Sequence, residues 1–337
     1  LVSLAGSNID SDNTKGVVGI SGRVIEMADV NRALEQAQAI TPPHNREVIH
    51  IIQRGFTVDG QEGVRLPVGL HGYRLEVEAH VITASTSTVE NLRKCVQASG
   101  VGVSQFVLNP LASGEVVLTD TEREMGVVVC DIGGGTSDMA IYINGDVWHT
   151  MVMPVGGNHI TSDIAHGLSL SLSQAEEVKK LYGSACMEEV SESDVFTVRK
   201  FGEDRSSTVS RKQLSEIINA RVEEIFELLL LEIKRSGYDG LLPAGMVLTG
   251  GSSLLPGIRT VASSMLGIPV RISGPENLLG LTDQLQSPAF STSVGLLNWS
   301  ILMNDASTVL RGKGGIHVNL PKVDIEAVKT FFTRLLP

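Results

Sequence analysis

One stretch constrains this chain more than any other: Asp131-Ile132-Gly133-Gly134-Gly135-Thr136-Ser137-Asp138. It lies between a continuous apolar run over 126–132 and a second over 139–143, so two strands flank it as the arms of a hairpin. A tight hairpin turn needs two special residues; three successive glycines between two acids are more than a turn requires. Without Cβ atoms, Gly133, Gly134 and Gly135 let the backbone come within hydrogen-bonding distance of an anion and point successive N–H groups at it. Thr136 adds a hydroxyl donor. Asp131 and Asp138 would repel a phosphate directly, so the pattern makes sense with a Mg²⁺ between them, held at Asp131 through water. The alternative is a glycine-rich hairpin tip that binds nothing.

Other glycine pairs follow. Asn144-Gly145 supplies a tight turn into a return strand over 147–153. After Pro154 and Val155, Gly156 and Gly157 precede a helix through Ala165 that Asn158 is placed to cap. The pair either offers N–H groups to phosphate or is a plain turn. Gly250 and Gly251 follow a strand at 246–248 and open a helix with Ser252. They either admit a flat base or ribose closely or mark a helix entry. Glu176 and Lys179 share one helix face, with Lys180 adjacent; taken alone, such a pair is a solvated one worth a few tenths of ~1 kcal/mol. His149, His159 and His166 have no metal spacing, and no Ser/His/Asp order stands out. Neither a G-x-x-x-x-G-K-[ST] loop nor a G-x-G-x-x-G turn between strand and helix is present.

The remaining chain reads as mixed α/β. Residues 1–84 form a small unit: Val30, Ala33, Leu34, Ala37 and Ile40 recur at helical spacing behind Asp29 as cap, and Pro42-Pro43 ends that helix. A short strand covers 48–52, and Leu75, Val77, Ala79 and Val81 alternate with polar residues. Residues 170–245 are helical, with a long helix near 210–236, and a last helix begins near Ser291. The 337 residues suit about two domains. A formal charge of −11 rules out a chain-wide basic footprint, hence no nucleic-acid partner. No apolar run approaches the ~18 residues of a membrane span. Three scattered cysteines exclude a disulfide scaffold and favour a reducing compartment.

In this order the motifs resemble the actin/chaperone/hexokinase ATPase superfamily. The triple-glycine turn looks like its second phosphate loop, and Leu248-Thr249-Gly250-Gly251-Ser252-Ser253 like its adenosine loop. Asn109-Pro110-Leu111-Ala112-Ser113 and Ser291-Thr292-Ser293-Val294-Gly295 look like its two connecting segments. Within the superfamily the chain resembles the FtsA family of bacterial cell-division proteins. The stretches that carry this are 67–77 (Pro-Val-Gly-Leu-His-Gly-Tyr-Arg-Leu-Glu-Val), 157–165 (Gly-Asn-His-Ile-Thr-Ser-Asp-Ile-Ala) and 280–283 (Gly-Leu-Thr-Asp). The resemblance implies an α/β, actin-like (ribonuclease H-like) two-domain ATPase fold with a relocated subdomain 1C, SHS2-like, at 1–84. Subdomain 1A would continue over 85–125 and close with a helix at 286–305. Subdomain 2A would take 126–169 and 246–285, and 2B would take 170–245. ATP and Mg²⁺ are the implied cofactors. Asp131, Gly133, Gly134, Gly135, Thr136, Asp138, Gly156, Gly157 and Asn158 would surround the phosphates. Glu176, Lys179, Lys180, Gly250, Gly251, Ser252 and Leu254 would surround the adenosine.

Further implications concern partners. The C-terminal tail of the tubulin-like FtsZ would dock on 2B, other division proteins on 1C, and copies of the chain would assemble into filaments. The family's first phosphate loop has no counterpart here; the chain opens with Leu1 and is expected to start after that loop. Filamentous bacterial actins such as MreB carry a Glu before the connecting proline, where this chain has Asn109, an amide that cannot act as a general base. No catalytic residue is therefore assigned, and at most weak ATPase activity is expected. The alternatives are a pilus-assembly scaffold of the PilM type and an active ATPase or kinase of the superfamily.

The tail argues independently. Residues 306–337 hold five Lys/Arg against two acids, net +3. Ile325, Val328, Phe332 and Leu335 fall on one helical face with Phe331 and Leu336 beside them, opposite Lys329 and Arg334. Behind the linker glycines Gly312, Gly314 and Gly315, such a helix suits the headgroup layer of a membrane. The expected location is the cytoplasmic face of the bacterial membrane at the septum. A helix this short binds weakly alone, so several copies side by side are needed.

Overall fold

The computed structural model describes residues 1–39, 44–202, 206–276, 278 and 283–311. The chain begins with strand β1 (Val2–Leu4) and the long strand β2 (Ile9–Val24), then helix α1 (Met27–Gln38). Strands β3 (Arg46–Val58), β4 (Gln61–Val64) and β5 (His71–Ser85) complete an antiparallel sheet of order β2-β5-β3-β4. Val30, Ala33, Leu34 and Ala37 of α1 are buried against it with Val18, Phe56, Leu75 and Val77. Each fully buried Val, Leu or Phe side chain here contributes roughly 1.5–3 kcal/mol relative to exposure. Asp29 is not the cap of α1. Glu26 precedes the helix, and Asp29, three residues in, accepts the Glu26 N–H through Oδ2 at 2.9 Å. Ile40 and Pro42-Pro43 lie outside the described residues. The expected strand at 48–52 is the first half of the longer β3, because both its neighbours supply pairing well past that apolar run.

Helix α2 (Thr86–Ala98) leads to β6 (Phe106–Leu108), which pairs in parallel with β1. Next come α3 (Asn109–Val117), α4 (Asp120–Met125) and a meander of β7 (Val127–Ile132), β8 (Ser137–Ile143) and β9 (Asp146–Met153). Every residue of β7 and β8 is buried. Val128, Cys130, Ile132, Met139 and Ile141 face one core, whereas Val127, Val129, Ala140 and Tyr142 face another. A sheet covered on both faces needs unbroken apolar strands, which is why these read as runs rather than alternations. At the β8–β9 turn Asn144 and Gly145 take positive φ, 54° and 85°, as a type I′ turn requires.

Helices α5 (Gly157–Leu168) and α6 (Leu172–Tyr182) follow, then the small hairpin β10 (Val195–Val198) and β11 (Ser207–Ser210). That hairpin interrupts the region expected to be helical. The long α7 (Arg211–Ser236) buries Leu214, Ile218, Val222, Ile225 and Phe226 along one face and is capped by Ser210, whose side chain accepts the Lys212 N–H. Strand β12 (Met246–Thr249), helix α8 (Ile258–Leu266) and β13 (Val270–Ile272) extend the meander into a five-stranded sheet of order β13-β12-β7-β8-β9. Helix α9 (Ser291–Arg311) packs on α3 and runs past residue 306, where the tail segment was expected to begin. The tail residues Ile325, Val328, Phe331, Phe332, Leu335 and Leu336 lie outside the described residues, as do 280–282. No helix among the described residues is long and apolar enough to cross a membrane.

Candidate functional site

The ladder of β7 and β8 pairs Asp131 with Asp138 and Ile132 with Ser137, which leaves residues 133–136 as the connection at the sheet's end. Gly133 donates its N–H to the Thr136 carbonyl at 2.9 Å. The N–H groups of Gly134, Gly135 and Thr136 meet no protein acceptor among the described residues. Gly134 and Gly135 are exposed. Three free donors at one bend are what an anion requires.

The second glycine pair braces this turn. Gly157 N–H donates to the Gly133 carbonyl at 2.9 Å, Asn158 N–H to the Gly134 carbonyl at 2.8 Å, and Gly156 N–H to His159 Nδ1 at 3.2 Å. These three groups are therefore engaged within the protein. Gly156 precedes α5 and holds the capping position; Asn158, expected as the cap, is the helix's second residue. A Cβ on Gly156 would stand 2.8 Å from the Gly133 carbonyl oxygen and 2.9 Å from that of Gly134, so only glycine permits this approach. Asn158 turns its side chain toward Gly134 instead, where a Cβ would sit 3.3 Å from its Oδ1.

The two carboxylates are buried without a cation beside them among the described residues. Asp131 Oδ2 accepts from Thr292 Oγ1 at 2.7 Å. Burial lifts its titration above the ordinary carboxylate range, against hydrogen bonds from Thr292 and Ser113. Asp138 Oδ2 accepts from Asn109 Nδ2 at 3.1 Å and Thr136 Oγ1 at 3.0 Å. Burial first, then the Asp131 charge, push Asp138 up to about 7. Asp138 Oδ1 and Asn109 Oδ1 are buried and have no partner among the described residues. Two facing acids, with unsatisfied acceptors on Asp138 and on the neighbouring Asn109 amide, suit a hydrated divalent cation, whose waters donate and whose charge relieves the repulsion.

A cleft of about 460 Å³ opens beside the turn, within the roughly 300–1,000 Å³ of small-molecule sites. Of the expected residues it is lined by Gly134, Gly157, Asn158, Glu176, Lys179, Lys180, Gly251, Ser252 and Leu254. Ile160, Leu255, Pro256 and Ala289 complete it and were not anticipated. Asp131, Gly133, Gly135, Thr136, Asp138, Gly156 and Gly250 are not among its lining residues. Gly250 (φ 85°) packs where a Cβ would strike Asp131 Oδ1 and the Ile132 carbonyl. Ser252 Oγ donates to the Gly133 carbonyl at 2.9 Å and so joins the two glycine loops.

In the lining of the cleft Glu176 pairs with Lys179 at 2.6 Å and Lys180 at 3.1 Å. Burial would raise its titration, but hydrogen bonds from Lys179, Thr161 and Lys180 hold it down at about 2. Lys179 Nζ also reaches the Gly157 carbonyl at 3.0 Å and Thr161 Oγ1 at 2.8 Å, clamping α6 to α5. Sequence reasoning missed Thr161, whose only signal is its place one turn beyond Gly157. A second cavity, of about 480 Å³, lies away from the turn near Arg54, Arg65 and Asp146. Among the described residues no group of three His, Cys, Asp or Glu is placed to hold a metal by itself.

Comparison with known proteins identifies the family and the fold. A family profile described as "Cell division protein FtsA" matches residues 128–295, and one described as "SHS2 domain inserted in FTSA" matches 6–83. FtsA of Pseudomonas aeruginosa is 40% identical over 300 residues, covering 89% of this chain and 72% of that protein. FtsA of Neisseria meningitidis is 42% identical over 296 residues (88% and 72%), and that of Bacillus subtilis 38% over 302 (89% and 67%). Among solved structures, the PilM–PilN type IV pilus biogenesis complex aligns with TM-score 0.60 at 17% identity, over 89% of this chain and 78% of that one. MreB5 of Spiroplasma citri bound to ADP aligns with TM-score 0.55 at 18% identity, over 67% and 68%. These two likenesses establish the actin-like fold. With sequence identity near 40% across most of its length, the chain belongs to the FtsA family of bacterial cell-division proteins.

Proposed function

We propose that the cleft binds ATP with Mg²⁺ and that the chain serves as a division adaptor, coupling nucleotide-dependent assembly to FtsZ and the membrane. The observation that carries the nucleotide site is the bend at Gly134, Gly135 and Thr136, whose three N–H groups meet no acceptor among the described residues, next to two buried acids, one of which, Asp138, has an unsatisfied oxygen. Gly134, Gly135 and Thr136 would hold the phosphates, and Asp131 would orient waters of the Mg²⁺. Glu176, Lys179 and Lys180 would face the ribose, with Gly251, Ser252 and Leu254 against the base. The metal supplies charge neutralisation between the acids and the phosphates. Asn109 donates to Asp138 and cannot accept a proton from water, which supports slow turnover and a nucleotide that biases subunit geometry.

By family membership we infer that residues 170–245 dock the FtsZ C-terminal peptide and 1–84 contact other division proteins. Copies associate into filaments, and 323–337 lie in the cytoplasmic leaflet at the septum. The MreB5 structure, which carries ADP, supports a nucleotide in this fold. Titration of a fluorescent ATP analogue with and without Mg²⁺ tests the site. Saturable, Mg²⁺-dependent binding lost in Gly135→Val supports it; equal binding by parent and variant refutes it. The likeness to the PilM–PilN complex gives a second arm. Co-sedimentation with an FtsZ tail peptide rather than a pilus partner's N-terminal peptide supports the division role.

A further inference from the structure

Helix α9 meets the glycine turn through side chains that no binding role requires. Thr292, its second residue, donates through Oγ1 to Asp131 Oδ2 at 2.7 Å. Ser291 Oγ pairs with Thr249 Oγ1 at 2.6 Å, both fully buried at the end of β12. Gly250 N–H donates to the Pro288 carbonyl at 3.1 Å, just ahead of the helix. The start of α9 is thus stitched to the ends of two central strands, β7 and β12. Farther along, Gly295 sits so close to α3 that a Cβ would strike the Ala112 carbonyl.

The choice of side chain matters. An Arg or Lys beside Asp131 would neutralise it; a hydroxyl fixes one oxygen and leaves the charge available. The other oxygen, Oδ1, lies where a Cβ on Gly250 would strike it, and Ser113 gives the carboxylate a second hydroxyl partner. Both carboxylate oxygens are therefore positioned by groups that do not cancel the charge, as partners behind a metal-facing ligand do.

We infer that Thr292 is a positioning residue that fixes Asp131 for a hydrated Mg²⁺ and links occupancy of the site to α9. This rests on the reading that ATP·Mg²⁺ binds at the turn. A shift of the carboxylate toward the metal's water shell pulls on the first turn of a helix that runs about 30 Å and leads into residues 312–337. A rigid element tied to the site at one end carries the signal only if it moves with occupancy, which hydrogen exchange measures.

The test compares the full chain with Thr292→Val, which removes the hydroxyl at nearly constant shape, and Thr292→Ser, which keeps it. ATP affinity is measured with Mg²⁺ and with EDTA, and hydrogen exchange over 291–303 with and without ATP·Mg²⁺. The Val variant should lose about tenfold or more of the Mg²⁺-dependent affinity and all nucleotide-induced protection of 291–303. Its Mg²⁺-free affinity should not change, and Ser should restore both losses. Should Val not fold, Thr292→Ala, which strains nothing at the helix start, takes its place. Parent-like affinity and protection in the variant, with the parent binding ATP, overturn the link alone. A parent that does not bind ATP overturns the link together with the nucleotide reading.

Discussion

Replacing Gly156 by alanine should unfasten the glycine turn. The new Cβ would stand 2.8, 2.9 and 3.0 Å from the carbonyl oxygens of Gly133, Gly134 and Thr136. All three are backbone atoms, so no side chain can swing aside, and the turn or the start of α5 must move. That movement lengthens the Gly157-to-Gly133 and Asn158-to-Gly134 hydrogen bonds, now 2.9 and 2.8 Å. Overpacking a tight site costs about 1–3 kcal/mol, and each weakened hydrogen bond about 0.5–1.5 kcal/mol. Because relaxing the clash is what stretches the bonds, the two costs overlap, and the net loss should be about 2–4 kcal/mol. Urea unfolding followed by circular dichroism measures it as a lower midpoint at unchanged slope. Gly135→Ala is the control. Among the described residues nothing lies within 4 Å of its Cβ, so stability should stay within about 0.5 kcal/mol, while ATP binding weakens because that Cβ enters the anion's side. A Gly156→Ala protein with the parent's midpoint would contradict the close approach on which the site is built.

Acid should loosen the joint between the first sheet and β9. Burial lowers the titration of His50 to about 4; His80 falls to about 3 through burial first and then through repulsion from His149 when protonated, from the Arg54 cation and from His50 when protonated. His80 bridges Asn13 and Thr150. The folded protein keeps both rings neutral whereas the unfolded chain protonates them near 6.5. Stability is therefore full above that pH and declines toward pH 4, by about 1.4 kcal/mol per pH unit for each histidine. His80→Gln should flatten the decline over pH 6–4 in thermal unfolding; an unaltered slope counts against the assignment. Glu176→Gln should weaken nucleotide affinity while changing folding stability by less than about 1 kcal/mol, since its ion pairs with Lys179 and Lys180 are partly solvated. Deleting residues from 323 onward should preserve the unfolding transition and abolish liposome pelleting, and pelleting that persists would refute the anchor.

Legibility in the sequence followed how local the determining interaction was. Strands β7 and β8 could be read because burial on both faces demands unbroken apolar residues. The turn between them could be read because glycine and aspartate announce a special backbone. Strand β2 could not: Asp10, Ser11, Asp12, Asn13 and Lys15 carry poor strand propensity, and pairing along almost the whole of β5 overrides it. The β10–β11 hairpin is too short and polar to stand out of a helical region. Asn158 suited a cap by residue type, but the loop opposite requires the chain's reversal to fall at Gly156. Thr161 and Thr292 carry no local mark. Their partners, Glu176 and Lys179 for one and Asp131 for the other, arrive from distant elements only on folding.

A crystal grown with ATP and MgCl₂ bears most directly on the central claim. The account predicts triphosphate oxygens on the N–H groups of Gly134, Gly135 and Thr136, metal-bound water on Asp131, and the base beside Leu254. A nucleotide lodged at the Arg54–Asp146 cavity, with the bend between β7 and β8 bare, would contradict it.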